Sequence, residues 1–158
     1  MSETALAVHR ALYDAVEGGD ADLMTALWVD DPDTSCVHPG APILRGTSDV
    51  VRSWVVLMSQ IGYIQFFLTD VEVTTLPPGS DTPDTAVVTC TESILSGDPD
   101  QPGGILAATS FGAATAQSTS ILVRGGNSES GGGWKFWLRH ASPVPPPLAA
   151  AFDDLEEH

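Results

Sequence analysis

The feature that most constrains this chain is one change of period at Gly62. Before it, apolar residues recur every three or four positions. After it, β-branched and aromatic runs alternate with short polar breaks as far as Pro143. Leu6, His9, Tyr13 and Val16 share one face of a helix predicted over Ser2 to Glu17, which Gly18-Gly19 stops because a left-handed backbone is cheap there. Asp20 is the expected N-cap of a short second helix, whose apolar side is Leu23, Met24, Leu27 and Trp28 and which ends at Asp30-Asp31-Pro32-Asp33. Thr34 to His38 and Ile43 to Arg45 read as a small hairpin about the turn Pro39-Gly40-Ala41-Pro42. Thr47 is expected to cap a third helix with Val50, Trp54, Leu57, Met58 and Ile61 on one stripe.

Beyond Gly62 the strand candidates are Tyr63 to Leu76, Thr85 to Leu95, Ile105 to Arg124 and Gly133 to Ser142, the third with a break allowed at Gly112. They suit a meander of long antiparallel strands. The connectors 77–84, 96–104 and 125–132 are small and polar, and the first two are candidates for lids over a site. Three helices followed by a curved antiparallel sheet define an α+β fold with the helices on one face, and such a sheet leaves a conical interior. The domain is expected to occupy residues 1–143, with 144–158 a proline-containing acidic tail.

Composition narrows the partners. The 158 residues carry 21 Asp and Glu against 6 Lys and Arg, a formal net charge of -15. Six scattered cations cannot form the basic face that nucleic acid or an anionic membrane requires. A hydrophobic fraction of 42% with only 17% charged residues is that of a globular chain. Neither a secretory leader nor an apolar run of roughly 20 residues is visible, so a cytoplasmic location is expected. Cys36 and Cys90 are expected to be free, buried thiols.

Several segments carry a family resemblance: Asp31-Pro32-Asp33-Thr34-Ser35-Cys36-Val37-His38-Pro39-Gly40, Leu44-Arg45-Gly46, Ser53-Trp54, Val87 to Glu92, Gly133-Trp134-Lys135-Phe136 and His140-Ala141-Ser142-Pro143. Together they resemble the SnoaL-like branch of the nuclear transport factor 2-like superfamily, over residues 3 to 143. The resemblance implies a cone-shaped, cystatin-like α+β barrel that dimerises through the open face of its sheet. The superfamily's members include ketosteroid isomerase, limonene epoxide hydrolase and polyketide cyclases. Relatives often end the last strand in consecutive histidines; here Leu138 and Arg139 precede a lone His140. Neither the aspartate base of ketosteroid isomerase nor the Asp-Arg-Asp set of the epoxide hydrolase is visible as a motif.

Strand alternation sorts the candidate site residues, because residues two apart face the same way. Cys90 and Glu92 share a face with Val88 and Ile94, and His140 is expected to share one with Trp134, Phe136 and Leu138. One reading brings His38, Glu92 and His140 together inside the cone, where burial moves both kinds of group toward neutral pKa values and equips them for acid–base catalysis. Tyr13, Arg45, Trp54, Cys90 and Phe136 would then contact the ligand, Tyr13 by donating to a substrate oxygen. The alternative is structural: His38 bonds a turn carbonyl beside Pro39, His140 bonds backbone, and Glu92 pairs with Arg45, Arg52 or Arg139. A metal site of Cys36, His38, Cys90 and His140 lacks diagnostic spacing, and neither a metal nor another cofactor is expected. Two functions follow: an isomerase- or cyclase-type acid–base enzyme acting on a small hydrophobic carbonyl compound, or a non-catalytic small-molecule binding or dimerisation module.

Overall fold

The computed structural model describes residues 2–97, 111–125 and 133–145. The expectations for most of the 96–104 and 125–132 connectors, and for the tail from 146, lie outside the described residues. The elements run α1 (Ser2–Gly18), α2 (Ala21–Ala26), β1 (Ser35–Val37), β2 (Leu44–Arg45), α3 (Thr47–Gln60), β3 (Tyr63–Leu76), β4 (Thr85–Gly97), β5 (Phe111–Arg124) and β6 (Trp134–Pro143). This is the α+β arrangement that the change of period predicts. Asp20 caps α2 as expected, its carboxylate accepting from the Leu23 N–H at 3.0 Å.

Thr47 does not cap α3. Gly46 holds that position, with a φ of 90° that favours glycine, while Thr47 is the first helical residue. The Thr47 hydroxyl instead donates to the Val29 carbonyl at 2.6 Å and accepts from the Asp31 N–H at 2.8 Å. It ties the end of the α2 segment to the start of α3.

One unclosed, curved sheet runs in the order β2-β1-β6-β5-β4-β3. β3 to β6 form the antiparallel meander, and β5 passes Gly112 without a break, in register with Ser96. β1 and β2 are the expected hairpin, but β1 also joins β6 in parallel, Cys36 opposite Arg139. Two β-bulges bend the long strands, as an extra residue on one side of a ladder does. In β3 the register shifts between Thr69 and Glu72, where Asp70 adopts a φ of 52°. In β6, Phe136 pairs with Leu122 while Leu138 pairs with Ile121, so Trp137 is the extra residue.

The second bulge has a cause in the neighbouring chain. Phe136 is clamped by hydrogen bonds to Leu27 and Val29 at 2.8 and 3.0 Å, whereas Leu138 to His140 are held by β1. Two anchor points set by different segments trap one surplus residue between them. The helices pack on the concave face, and the core joins Leu12, Tyr13 and Val16 of α1 to Trp54, Phe66, Val88, Leu122 and Phe136. The 77–84 connector closes on itself, with Ser80 N–H donating to Pro77 O and Asp84 N–H to Leu76 O.

Candidate functional site

Alternation along β4 turns Ala86, Val88, Cys90 and Glu92 inward, and all four are buried. Glu92 is 0% exposed. A carboxylate so placed needs partners, because burying an unpaired charge is far more costly than burying a polar group. It finds two. Arg139 Nη2 donates to both carboxylate oxygens, at 2.9 and 2.7 Å, and the Tyr13 hydroxyl donates to Oε2. Tyr13 comes from α1, Glu92 from β4 and Arg139 from β6, so the network spans helix layer and sheet.

Arg139 stands where alternation from Trp134 and Phe136 would place an outward residue. The Trp137 bulge resets the phase: Trp134 and Phe136 point in, and so do Arg139 and Ala141 beyond it. His140 is consequently exposed and faces away from Glu92. This corrects the expected shared face of Trp134, Phe136, Leu138 and His140. His140→Ala should therefore change stability by no more than about 0.5 kcal/mol and leave ligand affinity unaltered. Thermal melts and titrations compare the two proteins; a tenfold affinity loss would return His140 to the site.

The guanidinium lies 5.1 Å from the centre of the Trp54 ring, within cation–π range. Trp54 in turn meets the edge of His38, centroids 4.6 Å apart, and His38 Nε2 is 2.8 Å from the Ser53 hydroxyl. His38 thus bonds a side chain of α3 rather than a turn carbonyl beside Pro39. At the other end His9 packs against Tyr13 at 5.2 Å and Phe136 at 6.3 Å. Cys90 Sγ is 3.3 Å from Ser118 Oγ and 3.8 Å from the Tyr13 hydroxyl.

The charges divide cleanly. Burial lowers the pKa of His9 to about 4, aided by Arg139, and lowers that of His38 to about 4 in the same way. Burial raises Tyr13 above its usual value and lifts the Cys36 thiol to about 11, against the pull of nearby Arg139. For Arg139 itself burial works against the charge, but Glu92, together with Tyr13 and Cys36, more than offsets it and the pKa rises. Among the described residues the buried Arg139–Glu92 pair therefore lies among imidazole, phenol and thiol groups that burial keeps neutral at pH 7.

Of the sequence-expected residues, the fold brings together Tyr13, Trp54, Cys90, Glu92 and Phe136, with His38 reached through Trp54. It leaves out His140 and also Arg45, which is exposed and lines a surface groove of about 210 Å³ with Asp30, Asp31 and Asp49. Arg139 and His9 are the residues that site reasoning missed. Arg139 was visible only as one of three possible partners for Glu92, and His9 as a member of the α1 core stripe. Two further surface grooves, of about 550 and 560 Å³, run along the flanks of α3; none of the three borders Glu92 or Arg139. No group of three metal-ligating side chains occurs among the described residues.

A helix-covered, unclosed curved sheet with a polar network buried on its concave side defines a cystatin-like α+β cone. The family model for the SnoaL-like domain matches residues 5–147. The chain belongs to this family, within the nuclear transport factor 2-like superfamily, as its strand motifs imply. Among solved structures it is similar to a candidate dehydratase of the nuclear transport factor 2-like family from Streptomyces avermitilis, at 38% identity and a TM-score of 0.71, covering 90% of this chain and 95% of that one. An uncharacterised protein with a cystatin-like fold from Caulobacter vibrioides shares 19% identity at a TM-score of 0.71, covering 98% and 97%. A ketosteroid isomerase-like protein from Erwinia carotovora atroseptica shares 16% at 0.64, covering 91% and 96%. These last two likenesses concern the fold. No match was found among curated proteins.

Proposed function

We propose that the chain acts by general acid–base chemistry, of isomerase or cyclase type, on a small and largely apolar carbonyl compound held between the helices and the concave face. The observation that supports this is the Tyr13–Glu92–Arg139 network, wholly buried beside Trp54, Phe66 and Phe136. A carboxylate with fixed partners in an apolar surround is a common way to build a catalytic group. Its oxygens offer about four acceptor positions in all, and Arg139 and Tyr13 take three. The remaining one, on Oε1, can receive a proton from a carbon beside the substrate carbonyl and return it elsewhere on the same molecule. Tyr13, kept protonated, fixes the carboxylate. His38, with its Nε2 engaged by Ser53, orients Trp54.

One observation favours the second reading, a non-catalytic binding or dimerisation module: Glu92 is already largely saturated by its partners. Hydrogen–deuterium exchange separates the two. α-Proton exchange of 2-cyclohexenone and 2-tetralone, followed by NMR, should exceed the buffer rate at least a hundredfold with the protein and fall to background with Glu92→Gln, checked as folded by circular dichroism. Binding without exchange would establish the module; neither would overturn both.

The protein works as a homodimer through the open sheet face, where Phe67 is 51% exposed, and in the cytoplasm, where two buried free thiols stay reduced. Light scattering on the same samples should give twice 16.5 kDa.

A further inference from the structure

The buried polar atoms without a hydrogen-bond partner are not spread through the core. Among the described residues they are Arg139 Nε and Nη1, Trp54 Nε1, Ser120 Oγ, His9 Nε2 and Trp134 Nε1. Arg139 itself supplies two. Trp54 carries the ring beneath the guanidinium, Ser120 lies directly opposite Arg139 in the β5–β6 register, and His9 feels the charges of both Arg139 and Glu92. Five of the six therefore surround one cation that is only 2% exposed. Native interiors pair nearly all such groups, because each one left unpaired keeps the full cost of its lost hydration. A cluster around one guanidinium is the pattern of a recognition site, whose donors are paired by what it binds.

The chemistry of that site is set by what already surrounds it. Arg139 spends Nη2 on Glu92, and its Nη1 and Nε, whose N–H bonds point to different sides of the guanidinium, each remain without an acceptor. Trp54 Nε1 adds an N–H from α3. The Cys36 thiol lies beside both Arg139 and Trp54 and interacts with each, yet Arg139 Nε and Nη1 and Trp54 Nε1 have no well-formed hydrogen bond. On one side of Arg139 the inner positions of β5 and β6 are small, with Ser118 opposite Ala141 and Ser120 opposite Arg139 itself, and on the other they are the buried Leu122 and Phe136.

We propose that Arg139 and Trp54 form the oxygen-recognition site of this protein, and that it takes an uncharged carbonyl oxygen rather than a carboxylate. The decisive quantity is charge. Glu92 already balances Arg139 at hydrogen-bond distance, and His9, His38, Tyr13 and Cys36 are neutral at pH 7. A neutral ketone adds an acceptor and no charge. A carboxylate would leave the interior with one uncompensated negative charge, which a low-dielectric surround penalises heavily. This inference rests on the interior ligand site of the proposed function and names the residues and substrate charge that site selects.

The test uses three probes of one shape: 2-acetylnaphthalene, 2-naphthoate and 2-isopropenylnaphthalene. In ¹⁵N-labelled protein the ketone should shift the Trp54 indole N–H and Arg139 Nε–H signals, assigned by their loss in Trp54→Phe and Arg139→Lys. It should bind at least tenfold more tightly than either the carboxylate or the hydrocarbon. Trp54→Phe, which keeps ring area and deletes the donor, should weaken the ketone about tenfold and the hydrocarbon hardly at all. Tighter binding of the carboxylate overturns the proposal. So does equal binding of ketone and hydrocarbon, the result expected if water alone satisfies these donors, and so does the absence of any shift at millimolar ketone. Because turnover is not read, the two proposals fail separately: ketone binding without α-proton exchange sinks only the acid–base reading, and exchange without the Trp54 and Arg139 shifts sinks only this one.

Discussion

Glu92→Leu should lower the melting temperature by about 10–15 °C, corresponding to roughly 3–5 kcal/mol in a domain of this size. The reason is the partner left behind. Arg139 is 2% exposed and a guanidinium cannot shed its proton under any relevant condition, so it would remain a buried cation without a counter-charge. The loss is a large share of the roughly 5–15 kcal/mol that holds a natural domain together. Arg139→Met should cost a similar amount by stranding Glu92. The double variant Glu92→Leu/Arg139→Met should recover at least half of the loss, since an ion pair replaced by apolar side chains removes both desolvation penalties. Urea denaturation of all four proteins gives the coupling energy; additive losses would show that the two residues do not act as a pair. The network is thus expected to cost stability relative to an apolar core, which supports a role in binding rather than in holding the fold.

Stability should also fall steeply between pH 6.5 and pH 4, with His9 as a principal cause. Burial holds the His9 imidazole neutral down to about pH 4, whereas in the unfolded chain it takes a proton near 6.5. In that window the unfolded state binds more protons, so stability present above pH 6.5 is lost as the pH falls and the loss is complete once the folded pKa is passed. For a shift of this size the contribution is on the order of 3 kcal/mol. His38 acts in the same direction, reduced by its partial exposure. Charging His9 is opposed by Arg139 and Arg10, while Glu92 favours it; Tyr13 and Phe136 contribute the apolar wall. His9→Leu should flatten this limb and leave stability at pH 7.5 equal or higher, because it deletes an unpartnered nitrogen. Urea midpoints at pH 7.5, 6, 5 and 4.5 measure it, and an unchanged limb in His9→Leu would remove His9 from this account.

Much of the architecture was legible in the sequence. The stripe Leu6, His9, Tyr13, Val16 and the stripe through Val50 and Trp54 are local patterns, fixed by helical period against one apolar surface. β3 begins and ends where its β-branched run does, and the inward phase of Cys90 and Glu92 follows from alternation in a strand with no bulge. The candidate site was legible as far as those patterns reach, which is why Tyr13, Trp54, Cys90, Glu92 and Phe136 were found together.

What the sequence could not decide is the phase of β6 beyond Phe136. Residues 134–142 carry no glycine or proline to mark a bulge, and alternation alone assigns the inward position to His140. The bulge arises because Leu27 and Val29 hold Phe136 while β1, pairing in parallel, holds Leu138 to His140. Those contacts join residues about a hundred positions apart, so no window of local sequence contains them. One surplus residue, Trp137, exchanges a histidine for an arginine in the interior, and with that the site changes from three titrating groups to an ion pair with donors to spare. Local periodicity determined the layers of this protein; tertiary pairing decided which charge its core contains.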